Sequence, residues 1–435
     1  MSGWRMEAGF GVFPTSNLQS PPSPVGAPVY PIRFRGPCVY THTMPLSVPA
    51  VQAALKEDGL DGWLLYDFHG SNPIARRLTG LDRGGKMTSR RWFYVIPATG
   101  EPRKLVHAIE PSNLDHLPGA KTIYSRRETL ASGLTQVLGG LKRIAMEYSP
   151  GNNIPYISRV DAGTIEAVRQ LGIDVVSSGD LVQRFEATWS PDALQTHRDA
   201  SARLYRIKDR AFDFVRDGRR NGRMLTEIDV QRAMVGWFKE EGLISDGPPM
   251  VGAQENAGNP HYMPTDEQHR AIGDGEVLLL DLWGKLPQPG AVYADITWVG
   301  FTAAQVPDRY VQAFNAARDG RDAAVTLVQQ ATSAGRELRG FEVDRACRDV
   351  IERAGFGELF IHRTGHSLGT EVHGNGVHMD DFETHDERRL IPGTGFTIEP
   401  GVYSKAFGVR TEINMFVGPR EATVTGPLQQ EFVLL

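Results

Sequence analysis

The chain has 435 residues, 40% of them hydrophobic and 23% charged, with a formal net charge of −5. That length exceeds one typical core and accommodates two domains. The balance is that of a globular protein, and no Lys/Arg cluster marks a nucleic-acid surface. The two cysteines, Cys38 and Cys347, are too few for a disulfide framework and fit a reducing compartment.

Residues 1–43 carry Pro14, Pro21, Pro22, Pro24, Pro28, Pro31 and Pro37. Proline fixes φ and removes a donor, so this stretch is expected to be a disordered arm. The apolar patch Gly9–Phe13 is broken by Pro14 and makes a poor signal peptide. No apolar run approaches the roughly 18 residues that a membrane span needs. A soluble, cytoplasmic chain with no membrane partner is expected.

Residues 44–187 read as a small α/β domain. A helix is predicted over Val51–Leu60. Strands are predicted at Gly62–Tyr66, Arg91–Ile96, Arg143–Glu147 and Ile173–Val176, with a helix over Asp161–Leu171. This alternation predicts a parallel or mixed sheet. A boundary falls at Trp189–Asp192, where Ser190 as N-cap and Pro191 at the first helical position start a helix. Leu194, Leu204, Ile207, Ala211 and Phe214 lie near one face of it. A second helix follows Thr226, with Ile228, Ala233, Met234 and Trp237 as its buried face. Two more are predicted over 306–334 and 343–354. Residues 188–435 therefore read as α+β, antiparallel strands covered by helices.

The chemistry gathers in five residues: Asp281, Asp295, His366, Glu399 and Glu412. Asp281 follows the apolar run Glu276–Leu280, where a carboxylate is costly unless paired or bound to metal. Asp295 lies in the next strand-like segment, beyond the turn-rich Lys285–Gly290, so a hairpin brings the two together. Glu399 and Glu412 repeat the arrangement around a connection opened by Pro400-Gly401. Four carboxylates at one interior point repel strongly unless cations neutralise them. With one histidine they suffice for two divalent ions, which make a nucleophile from water. His366 sits in Arg363-Thr364-Gly365-His366-Ser367-Leu368-Gly369. His373 and His261 are further candidates, whereas His362, His378 and His385 read as surface or loop residues. Arg410, two before Glu412, shares its face on a strand and is expected to orient it.

From Trp189 to the C-terminus, the segments Leu280–Gly284, Tyr293–Thr297, His362–His373, Thr397–Tyr403 and Val409–Glu412 resemble the pita-bread metallopeptidases. Within these they resemble the Xaa-Pro dipeptidase (prolidase) and Xaa-Pro aminopeptidase branch. Residues 44–187 resemble that branch's N-terminal domain less strongly, best at Arg77–Gly80. The resemblance implies that Asp281 chelates one metal, that Asp295 and Glu412 bridge two, and that His366 and Glu399 complete the second site. It implies Glu399 as proton shuttle, His261 and His373 as substrate and oxyanion contacts, and Arg410 as support for Glu412. It further implies small proline-containing peptides as substrates and a homodimer. An oxygen-rich site favours Mn²⁺, with Zn²⁺ or Co²⁺ as substitutes. The spacing of Asp281 and Asp295 is longer than usual. So is the segment 374–390, with Asp380, Asp381 and Glu383, which is expected to narrow the cleft and favour dipeptides over longer substrates. The complete ligand set argues against a catalytically dead binding module.

Overall fold

The computed structural model describes residues 46–83 and 88–435, so the predicted arm lies outside the described residues. A six-stranded mixed sheet opens the fold: β1 (Gly62–Asp67), β2 (Trp92–Pro97), β3 (Arg103–His107), β4 (Ala120–Tyr124), β5 (Arg143–Met146) and β6 (Asp174–Ser177), in the order β4-β3-β2-β1-β5-β6. β1 pairs antiparallel with β2 and parallel with β5. Helices α1 (Val48–Glu57), α2 (Pro73–Thr79), α3 (Arg127–Leu138) and α4 (Ala162–Arg169) accompany it, and α5 (Gly179–Val182) runs into a π-helical turn, Gln183–Ala187. Sequence patterning misses β3 and β4. β4 is an edge strand whose residues are mostly exposed, so it carries no apolar run to read.

Glu147, just past β5, is fully buried among these elements. Its carboxylate accepts hydrogen bonds from Trp63 Nε1 (2.7 Å), Asn72 Nδ2 (2.7 Å) and Ser178 Oγ (3.1 Å). Burial outweighs these bonds and pushes its pKa up to about 7. A raised folded-state pKa contributes stability that is fully present below the unfolded value, near 4.5, and is lost as pH rises through the folded one. Between those limits the wild type is expected to lose about 1.4 kcal/mol per pH unit from this group. Glu147→Gln should flatten that slope in urea midpoints measured between pH 5 and pH 7.

The second portion begins with α6 (Pro191–Arg220), where Ser190 Oγ accepts from Ala193 N, followed by α7 (Glu227–Glu240), which carries a capping box from Thr226 and Asp229. Leu204, Ile207, Ala211, Phe212 and Val215 form the buried stripe of α6. The predicted Phe214 lies beside that stripe, half-buried. Strands β7 (Met250–Ala253), β8 (Val277–Gly284) and β9 (Ala294–Phe301) pair antiparallel. Helices α8 (Asp308–Ala334) and α9 (Gly340–Arg353) follow, then the short strand β10 (Ser367–Leu368). β11 (Gly395–Ile398), β14 (Ile413–Val417) and β15 (Ala422–Val424) complete an antiparallel sheet with β10, while β12 (Gly401–Tyr403) and β13 (Gly408–Arg410) form a separate hairpin. β16 (Val433–Leu434) joins the edge of β9 in parallel. No helix among the described residues is long and apolar enough to cross a membrane.

Strand alternation decides where the acids point. Leu278, Leu280 and Leu282 of β8, with Ala294 and Ile296 of β9, pack with α6 and α7. Val277 and Leu279, with Val299 and Phe301, pack on the opposite face against α8 and the β11–β14 sheet. Asp281 and Asp295 have the parity of this second set, so both carboxylates enter the space between the two sheets.

Candidate active site

Asp281 pairs across the hairpin with Thr297, and Asp295 with Trp283, so the two aspartates are diagonal neighbours on one face. Glu399 directly follows β11 and Glu412 directly precedes β14. Because Ile398 pairs with Ile413, the two glutamates extend the same ladder. The connection between them is not a simple turn, since it contains the β12–β13 hairpin. His366 arrives from the segment before β10. Gly365 makes its approach possible, because a Cβ there would meet Thr397 O at 2.0 Å. His366 Nε2 lies 3.6 Å from Asp295 Oδ2 and 3.4 Å from Glu399 Oε1.

Asp295, His366 and Glu412 are buried and offer ligand atoms that all lie within 4.8 Å of one another. Asp281 stands apart from that trio, its carboxylate bonded by the Arg410 guanidinium. All five candidates line one cavity of about 710 Å³, with His261, His373 and Arg410 also in its wall. The His373 ring lies edge-on to His366, with centroids 4.3 Å apart.

Burial first, then repulsion by the neighbouring carboxylates, pushes Asp295 and Glu412 well above the usual carboxylate range. Burial raises Asp281 as well, against the pull of Arg410. Glu399 goes the other way. Burial disfavours its charge, but His366, His362 and Arg410 outweigh that and hold its pKa low. Burial drives His366 down to about 3, which keeps its imidazole neutral, the form that binds metal. Asp295 Oδ1 is buried with no hydrogen-bond partner, although buried carboxylate oxygens are normally satisfied. Unpartnered carboxylate oxygen beside a neutral imidazole is the donor set that a hard or borderline divalent cation needs.

Arg410 acts differently from the sequence expectation. β13 ends at Arg410 and β14 starts at Ile413, so Arg410 and Glu412 do not share a regular strand. The guanidinium bonds Asp281, and it also donates from Nε to Thr297 Oγ1 at 2.9 Å and from Nη1 to the Tyr403 hydroxyl at 3.3 Å. It reaches Glu412 only through Thr297, whose Oγ1 donates to Glu412 Oε2 at 2.7 Å. Thr297 is therefore a relay between two acids, and sequence reading missed it. So were Asn414, whose Oδ1 accepts from Asp295 N at 3.0 Å, and Thr397, whose Oγ1 accepts from His366 N at 2.9 Å. Each lies two residues from a candidate acid, and that spacing was the available signal. Thr297→Val keeps the shape and removes the relay. It is expected to weaken metal affinity about 10- to 100-fold, the usual effect of losing a partner behind a ligand, as read by metal titration calorimetry.

Two histidines read as surface or loop residues do lie in loops, but not at the surface. His378 is fully buried, with Nδ1 accepting from Ser367 N at 3.1 Å, and His362 lines the cavity with Nε2 2.9 Å from the Tyr403 hydroxyl. His385 is part-exposed and pairs with Asp381. The segment 374–390 does reach the cavity, through Glu383.

A family model described as Metallopeptidase family M24 matches residues 195–419. The chain is 26% identical over 243 residues to a Mycobacterium bovis protein named Probable dipeptidase PepE, covering 56% of this chain and 59% of that one. It is 28% identical over 232 residues to a Lactobacillus helveticus Xaa-Pro dipeptidase, covering 53% and 57%. The chain thus spans less than two thirds of the length of these relatives. The crystal structure of dipeptidase PepE from Mycobacterium ulcerans superposes with a TM-score of 0.62 at 22% identity, covering 89% of this chain and 96% of that one, and so shares the pita-bread fold.

Proposed function

Because this chain belongs to metallopeptidase family M24 and is a hydrolase, we propose that it hydrolyses the peptide bond preceding proline in short peptides, as an Xaa-Pro dipeptidase. The observation that carries the reading is the trio Asp295, His366 and Glu412, with its unpartnered Asp295 oxygen, in one cavity with Asp281, Glu399, His261 and His373. In this reading residues 188–435 are the catalytic domain and residues 44–187 the domain preceding it. The working form is a cytoplasmic homodimer.

Asp281, Asp295 and Glu412, with His366 and Glu399, would hold two divalent ions, Mn²⁺ being favoured by the oxygen-rich donors. Such ions supply Lewis acidity and lower the pKa of water towards neutrality. Glu399, the acid held most strongly in its charged form, accepts the proton lost by the attacking water and returns it to the proline nitrogen. His261 and His373 line the substrate space and donate to the carbonyl oxygen as charge develops on it. Arg410 and Thr297 hold Asp281 and Glu412 apart at fixed positions.

Proline suits this cleft because an X-Pro bond carries no N–H for an ordinary peptidase to bind. The test is hydrolysis of Ala-Pro and Ala-Pro-Ala with added Mn²⁺. Cleavage of the dipeptide alone is expected, and Glu399→Ala should abolish it. Efficient cleavage of the tripeptide would make the chain an Xaa-Pro aminopeptidase instead. Cleavage of neither would remove the proline assignment.

A further inference from the structure

Arg363 lies in the wall of the cavity, three residues before His366, and is 8% exposed. Its Nη1 donates to the Tyr156 hydroxyl at 2.7 Å, and the guanidinium carbon lies 5.5 Å from the centre of that ring. Among the described residues no carboxylate comes within ion-pair distance of it, and no acceptor takes its remaining side-chain N–H groups. Glu383 is adjacent but accepts from the Arg363 main-chain N–H, at 3.2 Å. Arg410, the other guanidinium in this wall, is by contrast engaged by Asp281, Thr297 and Tyr403.

A guanidinium that is largely out of water with most donors unmatched is costly, and its planar fork fits a carboxylate in two parallel hydrogen bonds. The rest of the wall is rich in carboxylates. Beyond the acids that the divalent ions would neutralise, Asp246 and Glu383 remain in that wall, so a substrate anion is best held beside a free cation. An Xaa-Pro dipeptide has one such anion, the carboxylate on its proline.

We propose that Arg363 is the receptor for the free carboxylate of a substrate's C-terminal proline, and that Tyr156 positions it. This rests on the Xaa-Pro reading above and names what selects the dipeptide. A longer peptide or an amide puts a neutral group against the guanidinium and leaves it unpaired. Tyr156 comes from the connection between β5 and α4, so the first portion of the chain helps to set specificity in the cavity of the second.

The experiment compares kcat/KM for Ala-Pro and Ala-Pro-amide in wild type, Arg363→Gln and Tyr156→Phe with Mn²⁺, beside calorimetric Kd values for L-proline and L-prolinamide. Wild type is expected to prefer the acid. Arg363→Gln should lose about 10- to 100-fold on Ala-Pro, the worth of a charge-assisted pair, and nothing on the amide. Tyr156→Phe, which removes one hydroxyl and keeps the ring, should raise KM for Ala-Pro several-fold with kcat unchanged. Equal losses on acid and amide, or a wild type indifferent between them, would overturn the proposal. If wild type cuts neither peptide, the Xaa-Pro reading fails and the binding arm decides. A proline Kd raised by Arg363→Gln, with prolinamide unaffected, sustains the carboxylate receptor, and an unchanged Kd removes it.

Discussion

Asp295→Asn is expected to lower kcat/KM for Ala-Pro by about a thousandfold or more and, in the same protein, to leave the metal-free fold more stable. The first effect follows from the position of Asp295, whose Oδ2 faces His366 and whose Oδ1 has no protein partner at all. Metal ions stabilise charge in such reactions by several kcal/mol, and about 4 kcal/mol corresponds to a thousandfold in rate. The second effect has the opposite sign because the acids serve the metal, not the fold. Without cations, burial and the charges of Glu412, Asp281 and Glu399 all disfavour a charged Asp295. An uncompensated buried carboxylate costs several kcal/mol, so neutralising one should return about 1–3 kcal/mol. Metal should then lose its power to protect. In the wild type, Mn²⁺ at a thousandfold over its Kd adds about 4 kcal/mol, and in Asp295→Asn most of that disappears. Scanning calorimetry in chelator and in Mn²⁺ reads both effects. Undiminished metal protection in the variant would place the ions elsewhere.

This separation of site from scaffold explains what was legible in the sequence. The four acids were readable because each breaks an apolar pattern, and His366 because Gly365 and Gly369 flank it. Asp281 and Asp295 interrupt strands whose other inward residues include Val277, Leu279, Val299 and Phe301. The pita-bread fold followed from the same segments and from the family resemblance. What stayed hidden were groups whose side chains look ordinary until a neighbour arrives. Thr297 has the β propensity of any strand threonine, and only the register that places Asp281 opposite it makes it a relay. Arg410 was misdirected because the two-residue rule holds within one strand, and the chain leaves β13 before it enters β14. The burial of His378 within its loop was missed because nothing local reveals that Ser367 N–H will donate to it, 11 residues away in sequence. β4 was missed because an exposed edge strand needs no hydrophobic signature.

A second large effect is expected from Arg348→Met, far from any metal ligand in sequence. Asp344 and Arg348 sit one turn apart on the buried face of α9 and hold the chain that leads to His366. Asp344 Oδ1 accepts from Thr364 N at 2.9 Å and Thr364 Oγ1 at 2.8 Å. Arg348 donates to Phe360 O at 3.0 Å and His362 O at 2.8 Å. The pair itself is two-pronged, at 2.9 and 3.0 Å, and Asp344 is fully buried. Removing only the arginine strands that carboxylate, which typically costs about 3–5 kcal/mol. The urea midpoint should fall accordingly, and kcat/KM should fall about 10- to 100-fold as His362, Arg363 and His366 lose their fixed approach. These two losses have different causes, and a double variant separates them. Asp344→Leu with Arg348→Met replaces the pair by apolar groups of similar size, a change that is often neutral for stability. It does not restore the four bonds to residues 360–364. Stability is therefore expected to recover in part in the double variant, with those four polar groups still unpartnered, while activity stays low. Recovery of both would mean that α9 merely supports the fold. Recovery of stability alone would show that α9, through one ion pair, sets the geometry of the segment that carries the histidine ligand.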